Sequence, residues 1–159
     1  MSNDDVMHIA DAPCNMLQGD VSKYIERTWI DDYRASMSVK HVPASVYYRW
    51  EAARIAGIMK TAAASLAYHP NDLERSMVLG YAIHTDNWLH WFHVRDIFKG
   101  FGIGKQLLLH VLCKQEVREY AEIVVTHYMP PKYPSQSLFQ NRIVTYHPYY
   151  GLETDSGGP

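Results

Sequence analysis

The sequence predicts a mixed α/β (α+β) domain built around one central sheet, on three observations. Residues 20–36 carry a helical stripe of aromatic and aliphatic side chains. β-branched and aromatic runs flank Asp86 and Asn87 like the arms of a hairpin. A strand, a glycine-rich turn, a helix and a further strand then succeed one another over residues 88–128. The hairpin requires antiparallel pairing and the strand-helix-strand unit parallel pairing, so the sheet is mixed.

The elements follow in order. Residues 6–12, "VMHIADA", form a short strand ended by Pro13 and a loop to Gly19. In "DVSKYIERTWIDDYRAS", Tyr24, Ile25, Trp29, Ile30 and Tyr33 share one helical stripe, and Asp20 is placed to cap the first amides. Residues 45–65, rich in Ala, Met and Arg, read as a second helix closed by "HPND", with Gly57 weakening its latter half. "SMVLGYAIHT" (76–85) and "WLHWFHVRD" (88–96) are the hairpin strands. "GIGKQLLLHVLCKQ" (102–115) is a helix with Leu107, Leu108, Val111 and Leu112 on one face, and "AEIVVTHY" (121–128) is a buried strand. Beyond it come a proline-stiffened loop (129–136), one or two helical turns (137–142), a last strand (143–150) and a loose tail.

Composition narrows the function classes. A chain of 159 residues, 47% hydrophobic, can bury one core and is short for two, so a single domain is expected over residues 1–151 with a flexible tail over 152–159. A net charge of −2 leaves no footprint for general nucleic-acid binding. No secretory leader or run of eighteen apolar residues is present, so a cytoplasmic location and no membrane partner are expected. Cys14 and Cys113, far apart in sequence and without metal-ligand spacing, fit a reducing compartment. No metal is expected.

Gly100, Gly102 and Gly104 sit between a strand and a helix, where unpaired amides and the helix dipole favour an anion. A pyrophosphate can be surrounded by the N–H groups of Gly100 to Lys105 only where no Cβ intrudes. A dinucleotide fingerprint fails because Leu107 stands where G-x-G-x-x-G needs glycine, and a P-loop fails because Gln106 follows Gly104-Lys105 in place of a hydroxyl. The remaining alternative is a tight turn with no ligand.

The stretch "HWFHVRDIFKGFGIGKQLL" resembles the acyl-CoA-binding motif of the GNAT N-acetyltransferase superfamily, with Val94 at the strand end and Lys99, Gly102 and Gly104 at the motif positions. Lys99 replaces the usual Arg or Gln and meets a phosphate as a point charge rather than a planar fork. The order of elements fits too, and "TWIDDYR" and "YHPYY" resemble small phage-encoded GNAT-like proteins. The resemblance implies a GNAT fold with helices on both sheet faces. It implies acetyl-CoA (or another acyl-CoA) as co-substrate, bound by Val94, Lys99, Gly100, Phe101, Gly102, Ile103, Gly104 and Lys105, and direct transfer to a primary amine of an acceptor. A host-cytoplasm setting and a homodimer are compatible with it.

Such a reaction needs a base for the ammonium, stabilisation of the carbonyl oxygen and a proton for the thiolate. Strand alternation sets His90, Phe92 and Val94 on one face and Leu89, Trp91 and His93 on the other. His90 is therefore the expected general base, against a strand histidine satisfied by hydrogen bonds, and His93 is structural. The resemblance points to a tyrosine as acid. Tyr133 is the nearest, with Tyr128 and Tyr146 behind it, although the usual Asn-x-x-Ala spacing is absent. Tyr33, Arg34, Tyr47, Tyr48 and Arg49 are candidates to line an acceptor site, and Asp31 and Asp32 read as a solvated face. Two further readings stand beside the enzyme: a GNAT-fold phage factor that binds a host protein or nucleic acid without catalysis, and an acyltransferase that modifies DNA bases.

Overall fold

The computed structural model describes residues 7–36, 39–86, 88–114, 123–127 and 144–148. The expected loop at 129–136, the helical turns at 137–142 and the tail at 152–159 lie outside them. Strand β1 (His8–Pro13) leads through a single 3-10 turn to α1 (Gly19–Ala35), whose Ile25, Trp29 and Tyr33 are buried at four-residue spacing. The expected cap is not formed. Gln18 holds the extended N-cap position with no side-chain bond, and Asp20 lies inside the first turn, where its charge faces the positive helix end.

Helix α2 (Ala44–Met59) follows Pro43 and runs through Gly57. It ends earlier than expected, because the Lys60, Thr61 and Ala62 amides turn back onto Gly57 and Ile58 carbonyls and the chain enters strand β2 (Ala63–Tyr68). The reading of 63–65 as helix is thereby corrected. Alanine favours helix in isolation, yet here Ala64, Ser65, Leu66 and Ala67 are buried between β1 and β3, where both sheet edges are paired and tertiary packing overrides propensity.

Strands β3 (Gly80–Thr85) and β4 (Trp88–Val94) form the predicted hairpin, and α3 (Ile103–Lys114) carries the chain over to β5 (Ile123–Val125). β6 (Val144–Tyr146) completes a six-stranded sheet in the order β1-β2-β3-β4-β5-β6. The pairs from β1 to β4 are antiparallel, whereas β4-β5 and β5-β6 are parallel. The expected α+β architecture, a mixed sheet with helices on both faces, is the one observed. One face packs Trp29, Ile55, Ile58, Leu66, Ile83 and Trp91 under α1 and α2. The other packs Leu79, Ala82, Leu89 and Val125 against Ile103, Leu107, Leu108, Val111 and Leu112 of α3.

One irregularity positions the site. Ile83 pairs with Trp91, but the next residue, His84, pairs with Leu89, so His90 is an extra residue in β4, a β-bulge. The expected alternation is corrected accordingly: Leu89 packs under α3 with Phe92 and Val94, while Trp91 lies on the α1/α2 face. A bulge resets the two-residue period, which no local pattern in the strand announces.

Candidate active site

The chain leaves β4 through a 3-10 turn, Asp96–Phe98, and reaches α3 by way of Gly100 at φ +89° and Gly102 at φ +80°. Both are in the left-handed region, which side chains disfavour. A Cβ at either position would meet no atom within 4 Å, so the space beside both glycines is open. At Gly104, where α3 lies on β4, a Cβ would make ordinary contacts, 3.5 Å from Val94 Cγ2 and 3.9 Å from the Phe92 ring. The Gly102 carbonyl accepts the Gln106 amide at 3.0 Å to begin the helix. The Phe101 amide closes the turn at 99–100, while the amides of Gly100 and of Gly102 to Lys105 meet no backbone acceptor among the described residues, the arrangement an anion requires.

The side chains around the corner are exposed. Lys99 pairs with Asp96, and Ile97 and Phe101 present apolar surface to solvent. Lys99 thus has a carboxylate partner in place of the anion expected for it.

From this corner an open strand edge leads inward. β5 pairs with β4 only at Trp88 with Val124 and Leu89 with Val125, and the Thr126 amide adds a last bond to the Leu89 carbonyl at 3.3 Å. From the His90 bulge onward, β4 has no strand on that side among the described residues. Arg95 donates its amide to Leu79 on the β3 side, so alternation turns the Val94 N–H toward the open edge. The expected cofactor-binding backbone from Val94 to Lys105 therefore lies along one continuous run.

Where β5 parts from β4, polar side chains fill the α1/α2 face. His90 is fully buried, its Nε2 2.9 Å from Thr85 Oγ1 and its Nδ1 3.1 Å from Thr126 Oγ1. Thr126 Oγ1 is also 3.0 Å from His127 Nδ1, and His127 Nε2 lies 2.5 Å from Glu51 Oε1 of α2. Arg54 donates to the Thr126 carbonyl at 2.6 Å and stands 3.7 Å from Glu51 Oε1. Burial pushes the His90 imidazole down to about 3, aided by nearby His127, Arg54 and His84, so the ring is neutral. Burial also lowers His127, against the raising effect of its bond to Glu51. His90 is thus enclosed with both ring nitrogens bonded, and a substrate amine does not reach it directly.

The other expected residues are distributed as follows. His93 bonds Asp32 and stacks on Tyr81 at 5.5 Å, the structural part foreseen for it. Asp32 is therefore engaged rather than merely solvated, and Asp31 meets the Tyr48 hydroxyl at 3.2 Å. Tyr33 and Tyr47 are core residues, Tyr47 donating to the Ile30 carbonyl at 2.6 Å, and Arg34 donates to the Val42 carbonyl. The groove between α1 and α2, about 440 Å³, is lined instead by Lys23, Glu26, Arg27, Ile30, Ala52 and Ile55. Tyr133 and Tyr128 lie outside the described residues, and Tyr146 is a partly exposed residue of β6 that hydrogen-bonds Tyr33. Cys14 is buried, which pushes its thiol up to about 12 and leaves it unreactive. Among the described residues no three His, Cys, Asp or Glu converge as metal ligands, and no helix is long and apolar enough to cross a membrane.

Sequence reasoning passed over Glu51 and Arg54. Their signal is present in α2, where both fall on the stripe of Tyr47, Ile55 and Ile58 that faces the core. A carboxylate and a guanidinium on an apolar stripe require buried partners. Those partners, His127 and the Thr126 carbonyl, lie more than seventy residues away.

No family model matches the chain, and no curated protein does. Among solved structures, the aminoglycoside N-acetyltransferase AAC(6')-Iy in complex with CoA is similar over 88% of this chain and 88% of that one, at 15% identity and a TM-score of 0.41.

Proposed function

We propose that this chain is an acyl-CoA-dependent N-acyltransferase that moves acetyl from acetyl-CoA to a primary amine by direct attack. The observation that carries the reading is the corner at Gly100–Lys105, open beside Gly100 and Gly102 and with the amides of Gly100 and of Gly102 to Lys105 meeting no backbone acceptor among the described residues, joined to the open edge of β4. The backbone N–H groups there receive the diphosphate, with Lys105 and the Lys99/Asp96 pair at its rim. The Val94 amide meets the pantetheine arm or thioester along the open edge, beside the polar cluster on the α1/α2 face. Tyr133 is the tyrosine acid of this reading. The acceptor is an amine-bearing molecule.

Calorimetry with acetyl-CoA tests the reading. Saturable binding with one site per chain is expected, and no binding at millimolar acetyl-CoA by folded protein would end it. A second reading, a binding protein that has lost catalysis, draws on the pairing of Lys99 with Asp96 and the enclosure of His90. Turnover of acetyl-CoA with any amine removes that alternative; a copurifying partner and absence of CoA would favour it.

A further inference from the structure

Five side chains run in unbroken hydrogen-bond order from α2 to the end of β3: Glu51, His127, Thr126, His90 and Thr85. Their chemistry gives the chain a direction. A carboxylate only accepts, so His127 Nε2 carries the hydrogen toward Glu51. With neutral His127 carrying its hydrogen on Nε2, Nδ1 accepts from the Thr126 hydroxyl; the His90 backbone is the partner that the ring would bond if Nδ1 carried a hydrogen instead. Thr126 Oγ1 then accepts from His90 Nδ1–H, and His90 Nε2 accepts from Thr85.

The chain is closed in the middle and opens at its two ends, Thr85 and Glu51. His90, Thr126 and His127 have no exposed surface, whereas the Glu51 side chain is 11% exposed. Its Oε1 is held by His127, with Arg54 beyond it, while Oε2 receives no hydrogen bond from any described residue. One carboxylate oxygen is therefore fixed and the other has no donor among the described residues.

We propose that Glu51 is the proton acceptor of the transfer and that His127 and His90 are positioning residues, His90 acting through Thr126. This rests on the acyltransferase reading. The substrate ammonium loses an N–H bond as an O–H bond forms at Glu51 Oε2. The freed nitrogen lone pair forms the C–N bond to the thioester carbonyl carbon as the C–S bond breaks, and the second proton of that nitrogen ends on the thiolate sulfur. The ionisable groups facing the pair are Arg54 and Tyr47 of α2, Tyr33 of α1, His90 of β4 and, behind these, His84 of β3 and Tyr146 of β6.

The test combines two variants with calorimetry and ring-nitrogen spectroscopy. Glu51→Gln is expected to keep the acetyl-CoA Kd within about twofold, lower kcat by about 100-fold or more and abolish the acid limb of the kcat profile. A purely structural Glu51 would lower Tm and leave that limb in place, which overturns the proposal. Glu51→Asp keeps the charge beside Arg54 but withdraws the oxygens by one methylene. A loss in kcat of about tenfold with the acid limb retained is expected, and full activity would refute the role even if the Gln variant fails to fold. In the unaltered protein, 15N spectra should show the hydrogen on His127 Nε2 and His90 Nδ1, and the opposite tautomers would refute the chain. Failure of the unaltered protein to bind acetyl-CoA would remove the acyltransferase reading and Glu51's role with it, whereas loss of the acid-base role alone leaves that binding intact.

Discussion

Substituting Gly102 by valine separates an anion cradle from a tight turn. Gly102 sits at φ +80° with nothing within 4 Å of its Cβ position, so the substitution meets strain but no clash. The left-handed conformation costs about 1–2 kcal/mol for a residue with a Cβ. At about 2–4 °C per kcal/mol for a protein of this size, Tm should fall by roughly 2–8 °C and the fold should survive. A bound diphosphate would feel the new side chain far more. Branched methyl groups would fill the open side of the corner and displace phosphate oxygens from one or two amides, each charge-assisted bond being worth about 1.5–3 kcal/mol. Loss of even one predicts an acetyl-CoA Kd raised by about 10- to 150-fold. Thermal melts followed by circular dichroism and calorimetric titration read the two effects separately. A folded Gly102→Val protein that binds acetyl-CoA as tightly as the original would refute the cradle and leave only a turn.

Three further outcomes follow from the same geometry. Gly80→Ala should cost about 1–3 kcal/mol in a denaturant melt, since its Cβ would stand 2.7 Å from the His93 carbonyl inside the hairpin; an unchanged midpoint would contradict that close approach. Lys99→Ala should weaken acetyl-CoA by less than about fivefold, because an exposed lysine already paired with Asp96 is a screened point charge, and a hundredfold loss would make Lys99 the principal phosphate ligand. Stability should fall as pH drops: His90 is depressed to about 3 when folded against about 6.5 unfolded, so the unfolded chain binds the extra proton between those values. Tm should therefore decline from pH 6.5 toward pH 4, by a free energy of several kcal/mol on the order of its pKa shift, and His90→Asn should flatten the decline; parallel profiles would show that His90 is not buried neutral.

Local patterns were sufficient for the parts whose causes are local. The stripe of Ile25, Trp29 and Tyr33 announces α1 because helical periodicity selects one face, and Leu107, Leu108, Val111 and Leu112 do the same for α3. The glycine corner is legible for a similar reason, since backbone conformation and amide exposure depend on a few adjacent residues. Tertiary contacts decided the rest. The alanine-rich segment at 63–67 became a central strand because two neighbouring strands cover its edges. The bulge at His90 reversed the expected facing of Leu89 relative to Trp91, a consequence of how β4 registers against β3. Glu51 found His127 across 76 residues, and a carboxylate on a helix stripe does not name its partner until the chain has folded around it.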